Sequence, residues 1–402
     1  DLWGPLHGVP FTIKDCIDTA GIRTTRGSKL FESFIPDTDA SVVDRLKNAG
    51  GILIGKTNMP EFAMWWESDN DIFGCTNNPW DLSVTPGGSS GGEAAAISSG
   101  MSPLGIGSDL GGSIRQPANY CNIFGIKATH GRVPLTGHWP ETLLKAMHVG
   151  PMARSVVDTA LIFKTIAGFD PLDPTTLPDA SFDIEAVEDT DINGVELGFD
   201  ENFAFSRVDP ELKKLIEGSL TILESLGAKI VDVSMPDVDS FLPAWKTICT
   251  AEAYFAHREY YPNREQEYGP WFRGWLEHGS NIEASQYIEA SKLRNECNGL
   301  VRAALRSVEA FVCPSTIAFP HSIDDSINYG PMDNLRGTYF QRFTVPFDYN
   351  GYPTLSLPCG FNSEGMPASL QLVGKPMDEE LICQIGNAYE SATEWSSYHP
   401  ID

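Results

Sequence analysis

This sequence predicts an α/β fold, on three observations. Residues 194–233 read strand, helix, strand: Gly194 to Phe199 is extended, Asp209-Pro210 opens a helix that Gly227 stops, and Ile230-Val231-Asp232-Val233 is extended again. The order recurs near the start, where Phe11-Thr12-Ile13 precedes a helix over 39–49 and a strand at Ile52-Leu53-Ile54. Such alternation belongs to strands joined by crossover helices. Third, 402 residues that are 42% hydrophobic and 20% charged suffice for a full core.

Taken in order, Gly4-Pro5 and Gly8-Val9-Pro10 punctuate a turn before the first strand, and Lys14 stands at that strand's end. Taken alone, such a lysine reads as a surface residue. The helix over 39–49 carries Val42, Val43 and Leu46 on one face, and Gly50-Gly51 ends it. Ile52-Leu53-Ile54 then reads as a buried strand. Gly50 to Thr57, GGILIGKT, matches the phosphate-loop pattern letter for letter. Its middle residues are branched and apolar where a phosphate cradle needs an exposed loop, and Pro60 interrupts the helix that must follow, so no nucleotide site is expected. Met64-Trp65-Trp66 and Asn77-Asn78-Pro79-Trp80 supply either core or pocket wall.

Residues 85–115 carry two Gly/Ser clusters, Gly87-Gly88-Ser89-Ser90-Gly91-Gly92 and Asp109-Leu110-Gly111-Gly112-Ser113, around an Ala-rich run and an apolar segment. Ile123 to Lys127 reads as a buried segment, and Gly131-Arg132-Val133-Pro134 and Gly137-His138-Trp139-Pro140 as loops. Ser155 caps a helix over 155–167, and residues 170–191, rich in Pro and Asp, read as an exposed connection. The helix from Asp209 has its cap and first-turn proline in place, with Leu212, Leu215, Ile216, Leu220, Leu223 and Leu226 at helical spacing. Residues 240–307 are mostly helical and rich in aromatics, either a cover over a pocket or outer helices. A strand at Ala310–Pro314, apolar runs at Leu355 and Leu370, and a helix over 379–392 complete the chain. No internal repeat is visible.

The formal net charge is −26, from 54 acidic and 28 basic residues, which repels phosphate backbones; no nucleic-acid partner is expected. Eight scattered cysteines form no C-x-x-C pair, which argues against a zinc site or a disulfide framework. No apolar stretch reaches membrane-spanning length, and Asp1-Leu2-Trp3 opens no signal-peptide pattern. A cytoplasmic protein without a membrane partner is the expectation.

A serine in a Gly-rich loop is a candidate nucleophile, with neighbouring N–H groups as oxyanion donors. No G-x-S-x-G pentapeptide carries a Ser–His–Asp triad, and His7, His130, His138 and His148 carry no signature. No H-E-x-x-H spacing suggests a metal, so neither metal nor cofactor is expected. A Ser–Lys system is what the residues leave.

At these residues the sequence resembles the amidase signature family. The resemblance lies in GGSSGG (87–92), GSDLGGSIRQPA (107–118), HGVPFTIKD (7–15), GKTNMPEF (55–62), GIKATHGRV (125–133) and SLQLVG (369–374), and in the 24-residue spacing from Ser89 to Ser113. These ordered motifs run from about residue 4 to 395, with the middle of the chain weak. The resemblance implies one amidase signature domain over 1–402, a large twisted mixed sheet covered by helices on both faces, with 240–307 forming part of the pocket cover. That family usually carries a helical segment ahead of this point, so such a segment is expected to be missing here. The resemblance further implies Ser113 as nucleophile, Ser89 as bridging serine, Lys14 as base and a cis Gly88–Ser89 peptide. The N–H groups of Leu110, Gly111, Gly112 and Ser113 would form the oxyanion hole. Asp109 and Arg115 would be structural. Met64, Trp65, Trp66, Ser90 and His138 would line the substrate pocket, whose bulk favours apolar or aromatic groups.

The activity so implied is hydrolysis of a small to medium apolar or aryl amide, ester or carbamate through an acyl-enzyme on Ser113, by a monomer or homodimer. The alternative is an amidotransferase subunit that hydrolyses glutamine for tRNA-dependent transamidation; it shares the signature, but the acidic charge and residues 134–139 argue against it. A catalytically dead binding protein is a further alternative, against which the intact triad speaks.

Overall fold

A computed structural model describes residues 3–139, 146–178, 181–323 and 338–400. Pro140 and residues 179–180, read above as loop and connection, lie outside the described residues. The strands are β1 (Pro10–Lys14), β2 (Ile52–Thr57), β3 (Leu104–Asp109), β4 (Phe124–Lys127), β5 (His148–Ala153), β6 (Glu196–Phe199), β7 (Lys229–Asp232), β8 (Ala310–Pro314), β9 (Thr354–Phe361) and β10 (Pro367–Gly374). The helices are α1 (Ser41–Asn48), α2 (Gly91–Ser98), α3 (Arg115–Tyr120), α4 (Val156–Ile166), α5 (Ile184–Glu188), α6 (Glu201–Phe205), α7 (Pro210–Ser225), α8 (Leu242–His257), α9 (Pro270–Ser280), α10 (Ala284–Leu305), α11 (Val345–Tyr349) and α12 (Glu379–Ser391).

All ten strands form one mixed sheet in the order β2-β1-β3-β5-β4-β9-β10-β8-β6-β7. Both ends are parallel, β1 with β2 and β3, and β6 with β7 and β8; the middle is antiparallel. Helices cover both faces, as central strands buried on both sides require. Leu355 and Leu372 are register partners, and a Cβ at Gly386 of α12 would meet Leu355 Cδ2 at 2.5 Å. The adjacent pair, Ser356 and Gln371, faces the other way, and there Arg115 of α3 donates to Gln371 Oε1 at 3.3 Å.

The caps fall where the residue types put them. Ser155 Oγ accepts from Asp158 N–H at 3.1 Å and Asp209 Oδ1 from Glu211 N–H at 2.8 Å. GGILIGKT folds as the turn after α1 followed by β2, and Lys56 Nζ donates to Ile17 O at 2.7 Å and Thr24 Oγ1 at 2.8 Å. Two readings change. Ile52 and Ile54, expected to be buried, are 53% and 51% exposed because β2 is an edge strand. The 170–191 connection contains α5, held by the buried Val187. The stretch before α4, unassigned from the sequence, holds β5, a fully buried central strand that contains Gly150 and Pro151.

Candidate active site

The topology fixes where chemistry can occur. β1 and β3 are parallel neighbours, so their C-terminal ends emerge together, the usual location of ligand sites in α/β sheets. Lys14 ends β1, Ser108-Asp109 ends β3, and α2 packs over both, bringing the 87–90 turn to the same place. Glycine is required at position 88 because a Cβ there would lie 2.6 Å from the carbonyl carbon of Trp66. The Gly88–Ser89 peptide is cis.

Lys14 is fully buried in a cage of hydroxyls. Its Nζ lies 2.6 Å from Ser89 Oγ, 2.9 Å from Ser90 Oγ and 3.0 Å from Ser108 Oγ. Burial pulls its pKa down to about 8, against the opposing pull of Cys16, Asp109 and Glu93. Glu93 is itself buried; it accepts from Thr12 and, at 2.6 Å, from Thr57 Oγ1, and burial pushes its carboxyl up to about 7. Behind the lysine, Cys16 Sγ lies 3.4 Å from His138 Nε2, and burial, assisted by Lys14 and Arg26, drives His138 down to about 3.

The loop after β3 has every carbonyl engaged. Trp245 Nε1 donates to Leu110 O at 3.0 Å, Thr344 Oγ1 to Gly111 O at 2.7 Å, Gln116 N to Gly112 O at 2.7 Å and Ser90 N to Ser113 O at 3.2 Å. In a planar trans peptide each such carbonyl turns the next N–H the opposite way. Among the described residues the N–H groups of Leu110, Gly111 and Ser113 have no hydrogen-bond partner. Gly112, expected as a fourth donor, is corrected: its N–H is committed to Asp109 Oδ1 at 2.7 Å. The reason is the Asp109 carboxylate, which also receives Ile114 N–H at 2.9 Å and the Arg115 guanidinium at 2.8 and 3.0 Å. Burial alone would raise Asp109, but Arg115 beside it and these donors hold it well below the usual carboxylate range. Arg115, with no exposed surface, also pairs with Asp348 at 2.8 Å and donates to Thr344 O at 3.0 Å. Asp109 and Arg115 thus pin the loop through α11.

Ser113 opens into a pocket of about 530 Å³, open solvent at its mouth included. Met64, Trp65 and Trp66 form one wall; Trp245, Trp271 and Trp275 form another. Trp65 and Trp66 stack at 5.0 Å, Trp65 approaches Trp271 at 4.0 Å, and Trp271 Nε1 donates to Met64 O at 2.7 Å. Two expected pocket residues lie elsewhere. Ser90 is fully buried against Lys14, with its hydroxyl donating to Ser108 O at 3.2 Å, and His138 sits on Cys16. Both are held behind the lysine by the strand ends. Among the described residues Ser113 Oγ makes no hydrogen bond to Ser89, and no cluster of His, Cys, Asp or Glu is arranged to hold a metal ion. No helix of the described residues is long and apolar enough to cross a membrane.

Ser108, Glu93, Trp245, Thr344 and Gln341 do not stand out as site residues in the sequence. Glu93 leaves a signal there, a lone acid within GGEAAA; the others become relevant only through contacts made across the fold.

Comparison with known proteins gives a consistent picture. The Amidase family model matches residues 1–383. A glutamyl-tRNA(Gln) amidotransferase subunit from Roseiflexus sp. (strain RS-1) is 37% identical over 426 residues, covering 98% of this chain and 85% of that one. The structure of a 6-aminohexanoate cyclic dimer hydrolase complexed with substrate is similar with a TM-score of 0.91 and 27% identity, over 99% of this chain and 87% of that one. A bacterial aryl acylamidase of the amidase signature family is similar with a TM-score of 0.88 and 26% identity, over 98% and 84%.

Proposed function

We propose, from the premise that this chain belongs to the Amidase family of enzymes that hydrolyse amide C–N bonds, that Ser113, Ser89 and Lys14 carry the reaction. The observation that carries this reading is the buried Lys14 amine 2.6 Å from Ser89, with a pKa near 8. A neutral amine has two N–H donors and one lone pair. Among three surrounding hydroxyls one must therefore donate to it, and the shortest contact assigns that role to Ser89. In the reaction the lone pair takes the Ser89 proton, Ser89 takes the Ser113 proton, and Ser113 Oγ attacks the amide carbonyl. The oxyanion is received by the N–H groups of Leu110, Gly111 and Ser113. As the C–N bond breaks, the proton returns to the leaving nitrogen, and water then hydrolyses the acyl-enzyme. The second relay arm, Ser89 to Ser113, closes by rotation of the Ser113 side chain when substrate binds, since catalytic hydrogen bonds tighten in the substrate complex.

The tryptophan-walled pocket supports a small to medium apolar or aryl amide, ester or carbamate, with 240–307 as its cover within a single domain over 1–402. Seven buried cysteines that form no disulfide among the described residues support a reducing, cytoplasmic location. The names of the sequence relatives weigh toward the second reading, a glutamine-hydrolysing subunit of a tRNA-dependent amidotransferase, more than toward the first. The net charge of −26 and the apolar pocket weigh against it. A hydrolysis panel separates them: p-nitroacetanilide, short and long aliphatic amides, an aryl carbamate and glutamine. Turnover of aryl amides by the isolated chain supports the first reading. Turnover of glutamine alone, dependent on added partner subunits, replaces it with the second.

A further inference from the structure

The two aromatic walls of the pocket come from distant parts of the chain: Met64 to Trp66 follow a short turn, and Trp271 and Trp275 belong to α9. One side chain ties them together. Glu61 Oε2 accepts Gly269 N–H at 2.8 Å, and its Oε1 accepts the Ser28 hydroxyl at 2.5 Å. Gly269 is the N-cap of α9 and brings no capping side chain of its own. In a capping box the third helical residue accepts the N-cap N–H. Here that residue is Phe272, and Glu61 takes its place from across the fold. An anionic acceptor also suits a helix N-terminus. Burial pushes the Glu61 carboxyl up to about 7, so it is ionised in mildly alkaline solution.

Between Glu61 and Met64 the chain turns through Phe62 at φ 53° and Ala63 at φ 61°, left-handed positions uncommon for residues with a Cβ. Phe62 is buried with its ring 4.7 Å from that of Phe272, so α9 holds the turn in this shape. Just beyond the turn, Trp271 Nε1 reaches Met64 O, and the rings of Trp65 and Trp271 meet. These two tryptophans also line a second cavity of about 440 Å³, open solvent at its mouth included, whose wall carries Lys29, Glu61 and Asp71. The pair therefore stands between an apolar pocket and a charged one. We infer that Glu61 is a positioning residue for substrate affinity: through Gly269 it seats α9 against the 61–66 turn and keeps the Trp65–Trp271 partition closed beside the substrate. The inference rests on the amide-hydrolase reading and concerns what that site binds. Glu61 lies outside the lining of the pocket at Ser113, so its loss acts on the wall and leaves the contact of Lys14 with Ser89 in place.

Steady-state kinetics at pH 8.5 on p-nitroacetanilide and on acetamide test this, because acetamide has no ring to lay against the wall. Glu61→Ala should raise KM for p-nitroacetanilide about tenfold, one hydrogen bond's worth, while kcat and the acetamide KM stay within about twofold of wild type. Glu61→Gln keeps an oxygen that accepts from Gly269, and its KM should lie closer to wild type than to Glu61→Ala. Glu61→Asp keeps the charge but is one methylene short of Gly269, and should raise the same KM at least about threefold. An unchanged KM in Glu61→Ala or, where that protein does not fold, in Glu61→Asp overturns the inference. So does a Glu61→Gln enzyme as impaired as Glu61→Ala, or a loss confined to kcat and shared by acetamide. The hydrolase reading fails by a different readout: p-nitroacetanilide turnover that continues undiminished in Ser113→Ala.

Discussion

The sheet-end site and the tryptophan pocket meet at Ser113 and are built in opposite ways. Around Lys14 and Asp109 nearly every polar atom is spoken for, by Ser89, Ser90, Ser108, Arg115 and the backbone of 112–115. The pocket beyond it is mostly aromatic, with sparse hydrogen bonds and two unpaired donors among the described residues. A saturated polar network has one geometry and suits proton transfer, which needs fixed distances. Aromatic walls hold a ligand by shape and area, and tolerate variation in it. On the proposed function, reaction type belongs to one side of Ser113 and substrate choice to the other.

The contrast can be broken from the polar side first. Ser113→Ala is expected to lower kcat on p-nitroacetanilide by at least about 10⁴-fold with an unchanged circular-dichroism spectrum, as for other nucleophile deletions. A smaller loss would mean that catalysis does not depend on this side chain. Arg115→Met removes one partner of a fully buried ion pair and leaves Asp109 and Asp348 facing each other without it. Urea unfolding should show a loss of about 3–5 kcal/mol. No loss would mean that the loop is held by its backbone contacts alone.

Further predictions sharpen the boundary. Trp245→Phe keeps a ring in the pocket but frees Leu110 O, so kcat should fall about tenfold, one hydrogen bond's worth, while KM changes little. A change confined to KM would place Trp245 wholly on the substrate side. The smallest effect is that of pH. Protonated Lys14 cannot accept a proton; with its pKa near 8, activity rises through pH 8 and levels off above it, and about a tenth of the enzyme is competent at pH 7. A kcat/KM profile flat from pH 6 to 9 would remove the lysine from the base role.

The two regions are also unequally legible in the sequence. The polar site announces itself because it sits on short contiguous runs, GGSSGG and DLGGS, whose glycines are forced by close approach and turn geometry. The strand before Lys14, the helices after Ser155 and Asp209, and β6 to β7 follow from local periodicity and caps. The pocket can be read only in part. Met64 to Trp66 stand out by bulk, but Trp271 reaches Met64 across 207 residues of sequence, a contact that only packing makes. Ser90 and His138 lie near the pocket's motifs in sequence, which suggests a place in its wall, whereas the strand ends turn both toward Lys14. β5 escapes a sequence reading because a strand buried on both faces shows no alternation, and Gly150 and Pro151 argue locally against one. The acceptance of Gly112 N–H by Asp109 is likewise a product of the folded loop.

The most direct test of the central claim is covalent capture. Incubation with a fluorophosphonate at pH 8.5, followed by peptide mass spectrometry, should find a single adduct on Ser113 in the wild-type chain. That adduct should be absent from Ser113→Ala and formed more slowly in Lys14→Met. An adduct on another residue, or labelling of the wild type and Ser113→Ala at equal rates, would contradict the account.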